Sequence, residues 1–196
     1  MCSLRWARSL GFALIPLAVC CIVANLLLFF PDGRVDLVKK NNLTKYVWFF
    51  MGVGGGGLTI LVTAISFLSL GQCAKSCGTE TYAMCGSMLP ALVGMAGSGY
   101  CFIISALALL EGPLCYTAQG WRSPFENKGP RYLFFWDTWS ECIQPLHIVE
   151  WNMMLLSIQL ALSTLEFLIC TVQLLNGLVH AVCRPCCYKQ EYRLNA

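Results

Sequence analysis

Four windows of the sequence, 9–30, 46–70, 88–110 and 152–182, cover 101 residues and hold one charged side chain, Glu166. The other 22 of the 23 Lys, Arg, Asp and Glu residues fall in the remaining 95 positions. A hydrocarbon core about 30 Å thick is crossed by about 20 apolar helical residues, and every window is at least that long. Backbone amides in lipid must bond within their own segment, so each window is expected to be a helix. The expected fold is therefore all-α, a single four-helix transmembrane bundle. Composition agrees: 12% of the residues are charged, about half the roughly 25% usual in soluble domains. Arg5 and Arg8 precede the first window as they would precede a signal peptide. That window exceeds an h-region of about 7–15 residues and no small-residue cleavage site follows Phe30, so it reads as an uncleaved anchor.

Four spans put both termini on one side, with tails at 1–8 and 183–196 and loops at 31–45, 71–87 and 111–151. Lys and Arg number six on the face of the termini and seven on the other, so they do not fix the orientation. Cysteine discriminates better. Cys2, Cys73, Cys77, Cys85, Cys183, Cys186 and Cys187 share the face of the termini, and only Cys115 and Cys142 lie opposite. Thiols accumulate in reducing compartments and even pairs form in oxidising ones, so the termini are expected inside. The 31–45 and 111–151 loops are then external. Cys115 and Cys142 are expected to bridge, restricting the unfolded loop by roughly 3–4 kcal/mol, with two free thiols as the alternative. Asn42-Leu43-Thr44 is the one N-glycosylation sequon and falls on the same external side.

Polar groups within the bilayer are the usual mark of function in a membrane protein. Counting at 1.5 Å per residue, Asn25 lies about 7–8 Å and Glu166 about 21 Å below the external surface. Their depths differ by more than two turns, and Glu166 is expected level with Pro16, Thr59, Thr63 and Ser98. Glu166 reads either as a proton or ligand site or as a neutral acid serving as interhelical glue, worth about 1 kcal/mol. Gly52 and Gly56 form a G-x-x-x-G pair, and Gly94 and Ser98 repeat the small-residue theme in the third span. They are expected to pack the second helix against the third, with self-dimerisation as the alternative.

At the membrane surface, the seven cysteines on the face of the termini are candidates for reversible palmitoylation. They also read as unmodified thiols, or, through Cys73, Cys77, Cys183, Cys186 and Cys187, as a zinc site. The long loop is rich in aromatics, of which Phe134, Phe135 and Trp136 would anchor a partner if exposed. His147 and His180 fall on opposite faces and no catalytic motif occurs, so neither an enzyme nor a cofactor is expected. No basic run suggests nucleic acid.

Several strings carry a family resemblance. They include Phe30-Pro31-Asp32-Gly33, Val47-Trp48-Phe49-Phe50, Gly55-Gly56-Gly57-Leu58 and Gly97-Ser98-Gly99-Tyr100-Cys101. Glu111-Gly112-Pro113-Leu114-Cys115, Trp139-Ser140-Glu141-Cys142 and His147-Ile148-Val149-Glu150-Trp151-Asn152 complete the series. In this order the chain resembles the transmembrane-four L-six family, tetraspanin-like proteins named for a tumour-associated surface antigen. Tetraspanins themselves carry a Cys-Cys-Gly in the long loop, which is missing here. The resemblance implies a multipass protein of the plasma membrane, or of endosomal membranes, with cytoplasmic termini. It also implies lateral association with tetraspanins and integrins and an influence on adhesion, motility or growth. The sequence therefore points to a non-enzymatic organiser whose partners are lipid, other membrane proteins and a second copy of itself. A small-molecule sensor or transport accessory built around Glu166 is the alternative. The paired cysteines common in the family's middle loop are sparser here, as Cys73, Cys77 and Cys85.

Overall fold

The structure, a computed structural model, describes residues 4–30, 45–77, 86–118, 120–125, 133–134, 139, 142–144 and 147–194. At 4–5, 70–77 and 180–194 it describes the backbone alone. Four helices long and apolar enough to cross a membrane form a bundle. Helix α1 runs Leu4–Phe29 through Pro16, α2 Thr59–Cys77, α3 Met88–Glu111 and α4 Ile148–Leu194. The chain is laid out so that the 111–147 connection joins α3 to α4 at one end, called here the loop end. The starts of α1 and the finish of α4 mark the opposite, terminal end.

The second crossing differs from the plain helix its composition suggests. It opens with a 3-10 turn, Lys45–Phe49, passes through Phe50 in the left-handed region (φ 46, ψ 37), and continues as a π-helix over Met51–Leu58. Only then does α2 begin. The glycine run explains the choice: without β-carbons it gains little from regular α geometry, and π winding widens the backbone where neighbours press in. Thr59 closes the segment by donating both its amide and its hydroxyl to the Gly54 carbonyl, the latter at 2.6 Å.

At the loop end α3 stops at Gly112, whose φ of 77 suits glycine. Strands β1 (Cys115–Thr117) and β2 (Gly120–Arg122) then form an antiparallel hairpin, with Tyr116 opposite Trp121. Tyr116 also pairs with Gln144, and the Cys115–Cys142 disulfide closes the loop with a Cα–Cα distance of 5.5 Å. Beneath it Cys115, Phe125, Ile148 and Val149 make a small apolar core that seats the first turn of α4. Lys45 meets Glu111 at 2.9 Å, and the Trp151 indole donates to the Leu27 carbonyl at 3.1 Å. These contacts tie the second and third crossings together, and the first to the fourth.

Within the bundle two apolar clusters lie one above the other. The upper one, at the loop end, holds Leu28, Val47, Met51, Ala108 and Leu156, and the lower one Leu14, Ile60, Ala64, Phe67, Ala91 and Cys170. Outward-facing Val, Leu, Ile and Phe side chains such as Val62, Ile65, Ile103 and Leu168 remain exposed. In a membrane span these residues face lipid, where apolar surface carries no burial drive.

Candidate functional site

Along the inner face of α4, past both clusters, runs a polar seam. Asn152, Gln159, Ser163, Glu166, Gln173 and Asn176 are buried, all on α4. Their three-, four- and seven-residue spacings put them on one helical face, and that face is turned into the bundle. Gln159 is its junction: the Nε2 group donates to the Cys21 carbonyl at 3.2 Å, and Oε1 accepts from the Cys101 thiol at 3.2 Å. One side chain thus links α1, α3 and α4. Seven residues further along, Glu166 accepts from the Cys21 thiol at 3.5 Å. Towards the terminal end Gln173 donates to the Ser87 hydroxyl at 3.1 Å. Replacing Gln159 by Leu removes both links of the junction. The expected loss is about 1 kcal/mol, read as a lower Tm of the purified protein in mild detergent. An unchanged Tm would show that these bonds add nothing to bundle stability.

The expected depths need correction by about one and a half turns. Glu166 faces Cys21, not Pro16, and Thr63 lies against Gly94, whose own close neighbour is Cys170. Asn25 is then one turn from Cys21, so it stands about 6 Å from the level of Glu166's partner, closer than straight helices allow. Inclination of the helices accounts for a shift of this size. Asn25 itself sits beside Gly52, and Ser98 bonds to the Gly94 carbonyl of its own helix at 2.8 Å.

The glycines also distribute differently from a simple seam between the second and third helices. A β-carbon on Gly52 would meet Gln159, and would come within 2.7 Å of Asn25 Cβ and the Cys21 carbonyl. Gly52 therefore serves α1 and α4. Gly56 fits between the thiols of Cys21 and Cys101, 3.1 and 3.2 Å from where its β-carbon would lie. The close backbone approach of the second and third crossings falls to Gly55 and Gly97. The physical reason is the π winding, which turns the run by a different angle per residue from an α-helix and re-aims each position.

Of the loop residues, Phe134 is 77% exposed. Cys2, Asn42, Cys85, Phe135 and Trp136 lie outside the described residues, as do the side chains of Cys73, Cys77, Cys183, Cys186 and Cys187. Among the described residues no three His, Cys, Asp or Glu side chains are grouped to hold a metal ion. The amides Asn152, Gln159, Gln173 and Asn176 were not singled out by charge. Their common helical phase was the available signal.

Comparison with known proteins agrees with these features. A family model described as L6 membrane protein matches residues 1–187. Human transmembrane 4 L6 family member 1 is 46% identical over 200 residues, covering 98% of this chain and 99% of the relative. Mouse transmembrane 4 L6 family member 4 is 41% identical over 193 residues, covering 95% and 94%. Bovine transmembrane 4 L6 family member 18 is 39% identical over 189 residues, covering 93% and 94%. No solved structure matches the chain.

Proposed function

The chain belongs to the L6 membrane protein family, and from that membership we propose that it is a non-enzymatic organiser of other membrane proteins. It associates laterally in the plasma membrane, with tetraspanin- and integrin-containing complexes as the partners the family resemblance suggests. Adhesion, motility or growth is the cellular output. Both termini are cytoplasmic in this reading, and the disulfide loop is external. Cysteines near the inner surface, where acylated, would bias its position within the membrane.

The observation that carries the reading is the exposed Phe134 on a loop held by a disulfide and its own apolar core. A large aromatic held outside the core by a constrained loop has the composition of an interface anchor, and loses little conformational freedom on docking. The test is affinity capture in mild detergent with quantitative mass spectrometry. Wild type is compared with Phe134→Ala at equal surface delivery. Membrane partners should be captured by wild type and fall roughly ten-fold with the variant, as for an anchor worth about 1.4 kcal/mol. Equal capture would remove Phe134 from the docking surface, and a wild-type protein recovered alone would overturn the organiser reading.

A further inference from the structure

The outward side of the α3–α4 pair is not smooth. A groove of about 290 Å³ opens there, lined by Gly99, Phe102 and Ile103 of α3 and by Ser163, Thr164 and Phe167 of α4. Gly99 leaves it open: a β-carbon added at that position would meet only the edge of the Phe167 ring, at 4.0 Å. Phe102, Ile103 and Phe167 are exposed around it. The Ser163 and Thr164 hydroxyls both donate to the Leu160 carbonyl of their own helix, at 3.1 and 2.7 Å. The wall is therefore apolar throughout. An apolar cavity about half this size stays dry and admits benzene or xenon, so the groove suits hydrocarbon.

Its depth narrows the choice of occupant. Ser163 and Thr164 are the two central residues of the apolar stretch Ile148–Val179, and Gly99 is at the centre of Met88–Glu111. The groove thus lies near the midplane, about 15 Å from either surface of a core about 30 Å thick. It is continuous with the lipid-facing surface that Leu92, Leu107 and Leu165 help to form, so whatever fills it comes from the bilayer. A sterol keeps its hydroxyl at the surface, since burying that group unpaired costs roughly 2–7 kcal/mol, and its rigid rings then stay nearer the surface than the groove. A second helix needs contacts repeated over successive turns. On α3, however, Leu92 and Ile103 stand out on either side of Gly99, 51% and 57% exposed. The end of an acyl chain is thin, flexible and free of polar atoms, and it terminates at this depth.

We propose that the groove binds the terminal part of a phospholipid acyl chain and retains it longer than the rest of the bundle surface does. Apolar burial gives no drive within lipid. Retention comes instead from shape: atoms lining a concavity lack neighbours on one side until a flexible chain supplies them. This inference does not depend on the organiser reading.

The full chain, reconstituted in phosphatidylcholine bilayers whose acyl chain carries a diazirine at its methyl end, provides the test. Illumination attaches the chain end to the residues beside it, and peptide mass spectrometry locates them. Phe102, Ile103 and Phe167 should be labelled about five-fold more than Val19 and Leu58, an effect that roughly five to ten extra carbon contacts supply. Val19 and Leu58 are exposed at similar depth on the first and second crossings. Gly99→Leu fills the groove and should bring its residues down to the level of Val19 and Leu58, with those two unchanged. Groove labelling no higher than at Val19 and Leu58, or undiminished in Gly99→Leu, would overturn the proposal. Loss of groove labelling alone on adding cholesterol would give the site to a sterol, and shielding of the groove only in dimeric protein would give it to a second copy. Either result overturns the acyl-chain assignment. The comparison with Val19 and Leu58 uses the natural chain, so it stands if the variant fails to fold.

Discussion

Gly52→Val is expected to prevent assembly of the bundle, while Gly54→Ala leaves it intact. Both changes add bulk to the same glycine run, and their surroundings are opposite. At Gly52 the first added carbon meets the Gln159 amide, the Asn25 β-carbon and the backbone carbonyl of Cys21. The carbonyl belongs to α1 and cannot move aside as a side chain can. Gln159 can move only by giving up its bonds to Cys21 and Cys101. At Gly54 nothing lies within 4 Å. Overpacking a core typically costs 1–3 kcal/mol, and a collision with backbone, Asn25 and the Gln159 junction together places Gly52→Val at about 3 kcal/mol or more. That is a large share of the stability of most domains. The measurement is the yield of monodisperse protein by size-exclusion chromatography after mild solubilisation. A Gly52→Val protein as abundant and as monodisperse as wild type would show that the helices are not packed at this point as described.

The second large effect is confined to the loop. Cys115 and Cys142 close a sequence separation of 27 residues, and in the chain-entropy model removing such a bridge costs about 3–4 kcal/mol. The loop core is small, with Cys115 itself, Phe125, Ile148 and Val149 at its centre, so it has little to offset that loss. Cys115→Ser/Cys142→Ser should leave the helical content of the bundle unchanged while the hairpin opens. Arg122 is exposed on β2, so trypsin should cut after it many times faster in the variant than in wild type. Equal cleavage rates would mean that strand pairing and the apolar core hold the hairpin without the bridge. The same variant should lose any partner whose capture depends on Phe134.

The four-helix fold was legible because the membrane imposes a coarse requirement: charge must be kept out of segments of fixed length. The Cys115–Cys142 bridge was legible from the separation of one cysteine pair from a crowd of thiols. The rest needed finer information than hydropathy carries. Gln159, Gln173 and Asn176 are uncharged, and a charge count passes over them although they occupy the most buried face of α4. The glycine run announced close packing without saying which partner each glycine meets. Once Met51–Leu58 winds as a π-helix, the phase assumed for an α-helix no longer applies. Depth counting placed Glu166 level with Pro16, about one and a half turns from Cys21, because it treats inclined helices as vertical. In each case the residue type was visible and its direction was not.

Helix α4 has 47 residues, which at 1.5 Å each makes a rod about 70 Å long. Its first turn is clamped under the disulfide loop by Ile148 and Val149, and its backbone continues 12 residues past the apolar window that closes at 182. Between those ends it is held along its length, by the Gln159 bonds to α1 and α3 and the Glu166 bond to Cys21. One helix thus joins the disulfide loop to the far end of the bundle, and beyond its apolar stretch Pro185 takes one amide out of the hydrogen-bond ladder, the place where a bend costs this long helix least.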